Sequence, residues 1–196
     1  MKIAIATFNG FNEIDSFVAL NILNRVQQEG WQAEIVAPED TVISMNGVGI
    51  RSQQPFSFIN RADAVLFGSG KLTQDVIEDE QIMSRLKLDP SRQLIGSQCS
   101  GALILHHLGL TDKLPVCTDA TTAPWLQEAG AQVIQQSFYA KGNIATAGGC
   151  LSSQYLAAWI IHRKLGKEAV QKVLSSVAPV GEEENLIKRT MKTIAP

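Results

Sequence analysis

The residues with the clearest chemical pattern surround Cys99, in the segment Leu94-Ile95-Gly96-Ser97-Gln98-Cys99-Ser100-Gly101. Small residues stand two positions before and after the cysteine, at Ser97 and Gly101, and apolar runs flank the segment. A sharp turn from a strand into a helix requires small residues at these positions and holds one side chain exposed at the bend. The pattern therefore predicts a nucleophile elbow with Cys99 as the nucleophile, rather than an inert core cysteine.

The predicted elbow also supplies an electrostatic environment for the sulfur. At a helix N-terminus the helix dipole and free N–H groups stabilise a thiolate, so we expect a lowered pKa for the Cys99 thiol. Attack on an unsaturated carbon creates negative charge that needs hydrogen-bond donors. The backbone N–H groups of Ser69 and Gly70, in the turn after another strand, and of Ser100 are the predicted donors, although the glycines also serve the turn itself.

A histidine partner for the thiol is not indicated, although cysteine and histidine commonly pair in catalysis. The chain has three histidines. His106 and His107 lie about two turns into the elbow helix, too far along it to return to Cys99, and His162 lies late in another predicted helix. We interpret all three as surface residues or core residues with satisfied hydrogen bonds.

Two carboxylates are better candidates for handling the proton. Glu13 and Asp15 follow the first predicted strand and lie at the same sheet edge as Cys99. A protonated carboxyl beside the sulfur can donate a hydrogen bond to the thiolate and later shuttle a proton. Capping of the following helix is the alternative role for both residues. Spacing alone does not choose between them.

The other two cysteines carry a weaker signal. Cys117 lies in an apolar strand and is predicted to pack in the core, and Cys150 follows Gly148-Gly149 at a helix start, where a structural role is favoured over a catalytic one. The spacing of the cysteines matches no metal or redox motif, and their odd number gives no disulfide framework. We expect reduced thiols in a cytoplasmic protein, with no metal.

Composition limits the class of protein. Of 196 residues, 45% are hydrophobic and 18% are charged, and the net charge is −2, which favours one folded domain over disorder. There is no basic run, so a nucleic-acid partner is not expected. No apolar stretch has membrane-spanning length, and the N-terminus lacks the apolar core of a signal peptide, so no membrane partner is expected.

Short apolar strands alternate with helices along the chain. The predicted strands are residues 2–8, 33–37, 64–67, 93–97 and 143–147, with shorter pieces within 41–59 and at 116–117 and 133–134. The predicted helices are residues 13–29, 72–88, 99–108, 122–129, 150–165 and 167–177. This order is typical of a single α/β domain in three layers, with a mainly parallel sheet between helices on both faces. The domain is expected to cover residues 1–180, and the polar residues 181–196 are expected to form a solvated C-terminal extension.

With these residues in place, the chain resembles the ThiJ/PfpI superfamily over residues 2–180. The elbow, Gln98-Cys99-Ser100-Gly101-Ala102, is the most specific element. Four weaker motifs follow the family's order: Phe11-Asn12-Glu13-Ile14-Asp15, Gly68-Ser69-Gly70, Asp119-Ala120-Thr121-Thr122 and Thr146-Ala147-Gly148-Gly149. The resemblance implies a flavodoxin-like, class I glutamine-amidotransferase-like fold and a homodimer whose interface lies near the active site.

The resemblance also implies roles for individual residues. Cys99 falls on the family's nucleophile and Asp15 on its cysteine-contacting carboxylate. An aspartate there is similar to the isonitrile hydratase and regulator-domain branch, in which the pair works without histidine. The chain departs from many relatives where Ala123 follows the Thr-Thr pair in place of histidine, which argues against a histidine-assisted amidase or protease. The chain also departs at Asn21, where relatives usually carry an acidic residue. The turn before Lys71 reads Phe-Gly-Ser-Gly, whereas relatives often have Pro-Gly-Gly there.

The leading hypothesis is an enzyme in which Cys99 attacks a small electrophilic carbon and Asp15 moves the proton. Hydration of an isocyanide to an N-formamide is its narrow form, and no cofactor is expected. One alternative is glyoxalase- or deglycase-like action on reactive carbonyls. Another is a non-enzymatic redox or stress sensor, in which Cys99 oxidises to a sulfinic acid. The predicted pocket for the small-molecule substrate adds Glu13, Gln98, Thr121, Thr122, Gly148 and Gly149.

Overall fold

Short apolar runs form the strands of the central sheet, as expected for strands buried on both faces. The computed structural model describes residues 1–195. Its strands are β1 (Lys2–Ala6), β2 (Gln32–Val36), β3 (Thr41–Ile43), β4 (Gly49–Arg51), β5 (Ala64–Phe67), β6 (Leu94–Gln98), β7 (Phe138–Lys141) and β8 (Ile144–Ala147). Six of them form one sheet in the order β2-β1-β5-β6-β8-β7, parallel except for the β7–β8 pair. Strands β3 and β4 form a separate antiparallel hairpin.

Helices cover both faces of this sheet. They are α1 (Glu13–Leu23), α2 (Thr73–Glu78), α3 (Glu80–Met83), α4 (Gly101–His107), α5 (Ala123–Glu128), α6 (Ser153–Leu165), α7 (Lys167–Ser175) and α8 (Glu183–Ile194). Short 3₁₀ turns occur at Phe56–Arg61 and Cys150–Ser152. Within residues 1–195, no helix is both long and apolar enough to cross a membrane.

Alternation along the strands divides the interior into two apolar cores. Ile3 and Ile5 of β1 face a core built with α1, α6 and α7, whose largest fully buried side chain is Trp159. Ala4 and Ala6 of the same strand face a second core built with α2, α3 and α4. Successive side chains of a strand point to opposite faces, so one strand serves both cores. The architecture confirms the predicted three-layer α/β fold.

Two predicted helices differ in extent from the observed ones. The helix predicted over residues 13–29 ends at Leu23, where Asn24 exchanges hydrogen bonds with the backbone of Ala33 in β2. The helix predicted over residues 72–88 is broken into α2 and α3 at Asp79. The Asp79 carboxylate accepts the N–H groups of Gln81 and Ile82, so it caps a new helix in the middle of the apolar pattern.

The second half of the chain shows two further differences. Val116 and Val133, both in predicted strands, form only an isolated bridge with each other, and β7 was not predicted. The polar segment after Gly181, expected to be a solvated extension, instead forms α8. This helix packs on α6, α7 and β7 and buries Thr190 and Ile194. Its polar composition reflects its outer face, because only a stripe of an amphipathic helix needs to be apolar.

Candidate active site

Cys99 lies on a strained turn between β6 and α4. Its φ is 47°, and it is the only non-glycine residue with positive φ in the described part of the chain. Its N–H donates to the Ala147 carbonyl at 2.9 Å, and its own carbonyl accepts the Thr118 hydroxyl at 2.9 Å. A left-handed backbone at a residue with a side chain is energetically costly and persists only where its surroundings enforce it. The backbone at Cys99 has the form of the predicted elbow.

Two glycines let neighbouring chain segments approach the elbow. A Cβ atom on Gly101 would lie 2.6 Å from the Phe67 carbonyl oxygen at the end of β5. A Cβ on Gly148 would lie 2.3 Å from the Thr118 carbonyl oxygen. Both distances are far below van der Waals contact, and each obstructing atom belongs to the backbone. The missing side chains therefore allow the ends of β5, β6 and β8 to converge around Cys99.

Three side chains converge at this edge of the sheet. One carboxylate oxygen of Asp15 and the sulfur atoms of Cys99 and Cys150 all lie within 4.8 Å of one another. Asp15 is 3% exposed and Cys99 is equally buried, whereas Cys150 is half-buried. Asp15 Oδ2 accepts the Ser69 N–H at 3.3 Å, and Oδ1 has no hydrogen-bond partner among residues 1–195. The carboxylate beside the thiols is thus that of Asp15.

The other candidate carboxylate, Glu13, is engaged elsewhere. It accepts hydrogen bonds from the Ser44 hydroxyl and, at 2.9 Å, from Asn46 Nδ2. The bond from Ser44 holds the pKa of the Glu13 carboxyl below its usual value. Both partners follow β3, so Glu13 fastens the start of α1 to the β3–β4 hairpin. It lies near the site as a structural tether.

Burial controls the ionisation of the pair. It raises the pKa of Asp15 from 3.8 to about 6, and the hydrogen bonds with Ser69 oppose this rise. Burial, followed by the negative charge of Asp15, raises the pKa of the Cys99 thiol far above its usual value. The expected lowering by the helix N-terminus is therefore wrong, because desolvation and a nearby carboxylate outweigh the dipole of the seven-residue α4. At neutral pH the pair consists of a thiol and a carboxylate.

The predicted backbone donors differ in their availability. The N–H of Ser69 already donates to Asp15, and the N–H of Gly70 donates to the Ser100 hydroxyl at 3.1 Å. That hydroxyl also forms a 2.8 Å hydrogen bond with the Thr73 hydroxyl. The N–H of Ser100 has no partner among the described residues. Of the three predicted donors, Ser100 alone offers an unengaged N–H beside the nucleophile.

A cavity of about 340 Å³ opens onto Cys99. It is lined by the predicted residues Ser69, Gly70, Ser100, Thr121 and Thr122 and by Asn12, Met45, Lys71, Thr73, Gln74, Asp119, Trp125 and Cys150. The predicted pocket residues Glu13, Gln98, Gly148 and Gly149 do not line it. Gln98 lies behind the nucleophile, where its Nε2 is 3.7 Å from Cys99 Sγ and donates to the Gly149 carbonyl at 2.5 Å. Gly149 also contributes an N–H that faces the Cys99 sulfur.

Several site residues were missed or underrated from the sequence. Asn12 caps α1 by accepting the Ile14 N–H, and its Nδ2 donates to Cys150 Sγ at 3.1 Å. Asp119 accepts both backbone N–H groups of Thr121 and Thr122 and the Thr122 hydroxyl. Both residues look like ordinary capping residues in the sequence, which gives no signal for their position beside a distant cysteine.

The histidines lie outside this cavity. His106 uses both ring nitrogens, one with the Thr111 hydroxyl and one with the Ala129 carbonyl, each at 3.0 Å. His107 is exposed and His162 is half-buried at the far end of α6. The ionisable side chains at the cavity are therefore Lys71, the carboxylates and the thiols.

The three converging side chains are also those that could hold a metal ion. Two sulfurs and one carboxylate oxygen match the donors of soft ions such as Zn²⁺. Asn12 presents its amide N–H₂ to the Cys150 sulfur, so it adds a hydrogen bond and not a fourth ligand. The same closeness allows a proton to pass between the carboxylate and either sulfur.

The fold belongs to the class I glutamine-amidotransferase-like α/β architecture, and it holds a strained cysteine where a strand turns into a helix. The model of the DJ-1/PfpI family matches residues 1–163 of the chain. The chain belongs to the DJ-1/PfpI family. Membership and the buried elbow cysteine support a cysteine-based activity or a redox role.

Solved structures of similar fold come from distant relatives. Schizosaccharomyces pombe DJ-1 has a TM-score of 0.78 at 16% identity and covers 91% of this chain and 100% of its own. Drosophila melanogaster DJ-1beta has a TM-score of 0.78 at 18% identity, with coverages of 90% and 96%. A ThiJ/PfpI family protein from Pseudomonas syringae has a TM-score of 0.78 at 18% identity, with coverages of 98% and 87%. No curated protein sequence matches the chain.

Proposed function

We propose that the protein is a cysteine-dependent enzyme that adds water to a small, uncharged electrophile, with an isocyanide as substrate and an N-formamide as product. The observation that carries this proposal is the pairing of the buried Asp15 with Cys99, which lines a cavity that has no histidine in its wall. A buried carboxylate with a pKa near 6 is suited to accept a proton from a thiol and to return it near neutral pH.

The chemistry needs one nucleophile, one proton carrier and water. Asp15 takes the Cys99 proton as the sulfur attacks the terminal carbon of the isocyanide, and the carboxyl then protonates that carbon. A thioimidate, R–N=CH–S–Cys99, results. Water adds across the C=N bond, so that its hydroxyl goes to this carbon and one proton goes to the nitrogen. The C–S bond breaks as the hydroxyl becomes the carbonyl, and the hydroxyl proton passes to the sulfur as the N-formamide leaves. The unengaged Ser100 N–H lies at the helix start beside the sulfur, where it can stabilise charge that develops on the substrate.

The lining of the cavity favours a small neutral substrate. Met45 and Trp125 supply apolar surface, while Thr121 supplies a hydroxyl group. Lys71 and Asp119 carry opposite charges, so the cavity has no excess of positive charge to recruit an anion. An isocyanide is uncharged and exposes an unhindered terminal carbon, which suits access to a buried sulfur.

Turnover of an aryl isocyanide, followed by ultraviolet absorbance, tests the proposal. We expect Cys99→Ala to abolish turnover, and Asp15→Asn to reduce it by about 10² to 10⁴-fold through loss of the proton carrier. For the wild type, kcat/KM should rise with pH through about 6, as Asp15 becomes the carboxylate that accepts the proton. Cys117→Ala, which changes a buried cysteine outside the cavity, is the matched control. Equal rates for Cys99→Ala and wild type would refute the mechanism.

Reactive carbonyls define the second enzymatic candidate. A thiol can add to methylglyoxal at the same site to give a hemithioacetal, with Asp15 again carrying the proton. The same panel of variants assayed with methylglyoxal distinguishes the two substrates. Turnover of methylglyoxal without turnover of isocyanide would assign the site to glyoxalase-like chemistry.

A redox role is the non-enzymatic candidate, and the burial of Cys99 beside a carboxylate is the observation that favours it. One of the solved relatives is described as the oxidised form of Toxoplasma gondii DJ-1. In this role, Cys99 would be oxidised to a sulfinic acid with Asp15 as its hydrogen-bond partner. Oxidation at Cys99 in the absence of turnover of any tested substrate would favour this function.

We also propose that the protein acts as a homodimer. Large apolar side chains are exposed beside the cavity on α1, on the β3–β4 hairpin and on the 3₁₀ turn that begins at Cys150. They are Ile14, Ile43, Met45, Val48 and Leu151. A group of exposed apolar side chains on one face is typical of an interaction surface. A second copy would cover these residues close to the active site.

A further inference from the structure

Cys150 is a second thiol whose position the proposed hydration does not explain. Its sulfur lies within 4.8 Å of the Cys99 sulfur and of an Asp15 carboxylate oxygen. It is half-buried and lines the same cavity. Asn12 Nδ2 donates to this sulfur at 3.1 Å, which keeps the Cys150 side chain turned towards the other two groups.

We propose that Cys150 is a resolving thiol, which captures oxidised Cys99 in a reversible Cys99–Cys150 disulfide. The inference goes beyond the proposed hydration and does not depend on it. Two observations carry it: the closeness of the two sulfurs and the unpartnered Asp15 Oδ1 in the same buried site.

The backbone before Cys150 allows the sulfurs to meet. A disulfide requires a separation of about 2 Å, so Cys150 must move towards Cys99. Gly149, directly before it, has φ of 85°, and a Cβ built there would have no atom within 4 Å. Cys150 itself starts a short 3₁₀ turn and not a long helix. The Gly149 carbonyl accepts the Gln98 amide and the Ser152 N–H, so a shift of this short turn that brings the sulfur inward exchanges these two hydrogen bonds for the S–S bond.

The reaction balances with a hydroperoxide as oxidant. Asp15 takes the Cys99 proton as the sulfur attacks the peroxide, and the O–O bond breaks to give a sulfenic acid and a hydroxide or alkoxide. The Asp15 carboxyl returns the proton to this leaving group, which departs as water or an alcohol. Asp15 then takes the proton of the Cys150 thiol, and the resulting thiolate attacks the Cys99 sulfur. The S–S bond forms as the S–O bond breaks, and the departing hydroxide takes the proton from Asp15 and leaves as water. A dithiol reductant returns both cysteines to thiols.

The disulfide would protect Cys99 from irreversible oxidation. Without a resolving thiol, a sulfenic acid meets a second peroxide and becomes a sulfinic acid, which a dithiol does not reduce. An attack within one molecule competes well with this bimolecular step, because the two sulfurs are already held in one site. The arrangement therefore makes oxidation of the nucleophile reversible.

Mass spectrometry of the peroxide-treated protein tests this proposal. Cleavage after lysine and arginine separates the three cysteines into residues 93–113, 114–141 and 142–163. After alkylation of free thiols without reduction, we expect the first and third peptides to be linked, and a dithiol to separate them. Cys117→Ala should form the same link. In Cys150→Ser the link should be absent, and Cys99 sulfinic acid should accumulate about tenfold faster than in wild type.

Two outcomes would overturn the proposal. One is oxidation of Cys99 in the wild type with no linked peptides at any peroxide concentration. The other is sulfinic acid formation at equal rates in wild type and in Cys150→Ser. Since the readout is the mass of the peptides and not turnover, its failure is distinguishable from failure of the isocyanide assay. Circular dichroism of Cys150→Ser and of Cys150→Ala checks that both variants are folded.

Discussion

At the scale of single residues, the ionisation of Asp15 connects stability to chemistry. Its carboxyl is buried between α1 and the elbow, where it accepts one N–H and leaves Oδ1 without a partner. A carboxylate in such a place lowers the stability of the fold, and the raised pKa measures this effect. The site therefore holds a destabilised charge that serves the proton transfers proposed for Cys99 and Cys150.

The raised pKa predicts that Asp15→Asn stabilises the protein at high pH. The native carboxyl binds its proton more tightly than the unfolded one, so the free energy of unfolding falls as pH rises from about 4 to 6. A shift from 3.8 to about 6 corresponds to a loss of about 3 kcal/mol above pH 6. We expect Asp15→Asn to recover about 2 kcal/mol of this at pH 8 and nothing below pH 4.

Urea unfolding at pH 8 and at pH 4 measures this difference. The exposed residue Asp112 offers a matched control, because Asp112→Asn removes a surface carboxylate outside the site. A gain in stability that is the same at both pH values would contradict the assignment of the effect to the Asp15 proton.

At the scale of elements, the elbow depends on how closely β5 approaches the start of α4. Gly101 is the first residue of α4 and lies against the carbonyl groups of Phe67 and Gly68. On helix propensity alone, alanine at this position should stabilise the helix by about 1 kcal/mol. The close approach instead predicts that alanine destabilises the protein, because the obstructing atoms are backbone atoms that cannot rotate away.

We therefore expect Gly101→Ala to lower the free energy of unfolding by about 2 kcal/mol, the usual effect of an overpacked interior. It should also reduce any Cys99-dependent activity, since α4 would have to shift. Gly49→Ala in β4 is the control, because its new Cβ would meet only the end of the Ile43 side chain, at 3.3 Å. Denaturant unfolding of the three proteins gives the comparison. If Gly101→Ala proves as stable as the wild type, the elbow does not need the close approach of β5.

At the scale of the whole molecule, the two faces of the sheet carry different surfaces. The helices α1 and α6 to α8 cover one face, and α2 to α4 cover the other. Exposed apolar side chains gather beside α1, where Leu151 is 71% exposed and Ile14 is 43% exposed. The proposed homodimer would place this surface, and with it the mouth of the cavity, against a second copy.

Light scattering during size-exclusion chromatography tests the dimer. We expect the wild type to elute with twice the mass of the chain and Leu151→Glu to elute as a monomer, because a buried unpaired carboxylate opposes association. Gln127→Glu, which adds the same charge on α5 beside the opposite helix layer, should remain a dimer. A wild type that is monomeric at micromolar concentration would rule out the proposed interface.

The sequence by itself determined the layered fold and the place of the strained cysteine, Cys99. Apolar runs with helical and strand periodicities decide which face of each element is buried, and small residues around Cys99 mark the tight turn. These signals are local, because a few adjacent residues fix the backbone. The same reasoning misjudged α8, which has a polar composition but a narrow buried stripe that includes Thr190 and Ile194.

Only the tertiary structure decided which groups surround the Cys99 sulfur. Asp15, Cys99 and Cys150 come from the starts of three segments far apart in the chain, and parallel strands β1, β6 and β8 bring those segments to one edge. The local sequence pattern did not show whether Asp15 or Glu13 lies beside the sulfur. It also did not separate Cys150 from a cysteine that only packs in the core. The ionisation of the site was also beyond the sequence, since burial, which depends on the whole fold, outweighs the dipole of one helix end.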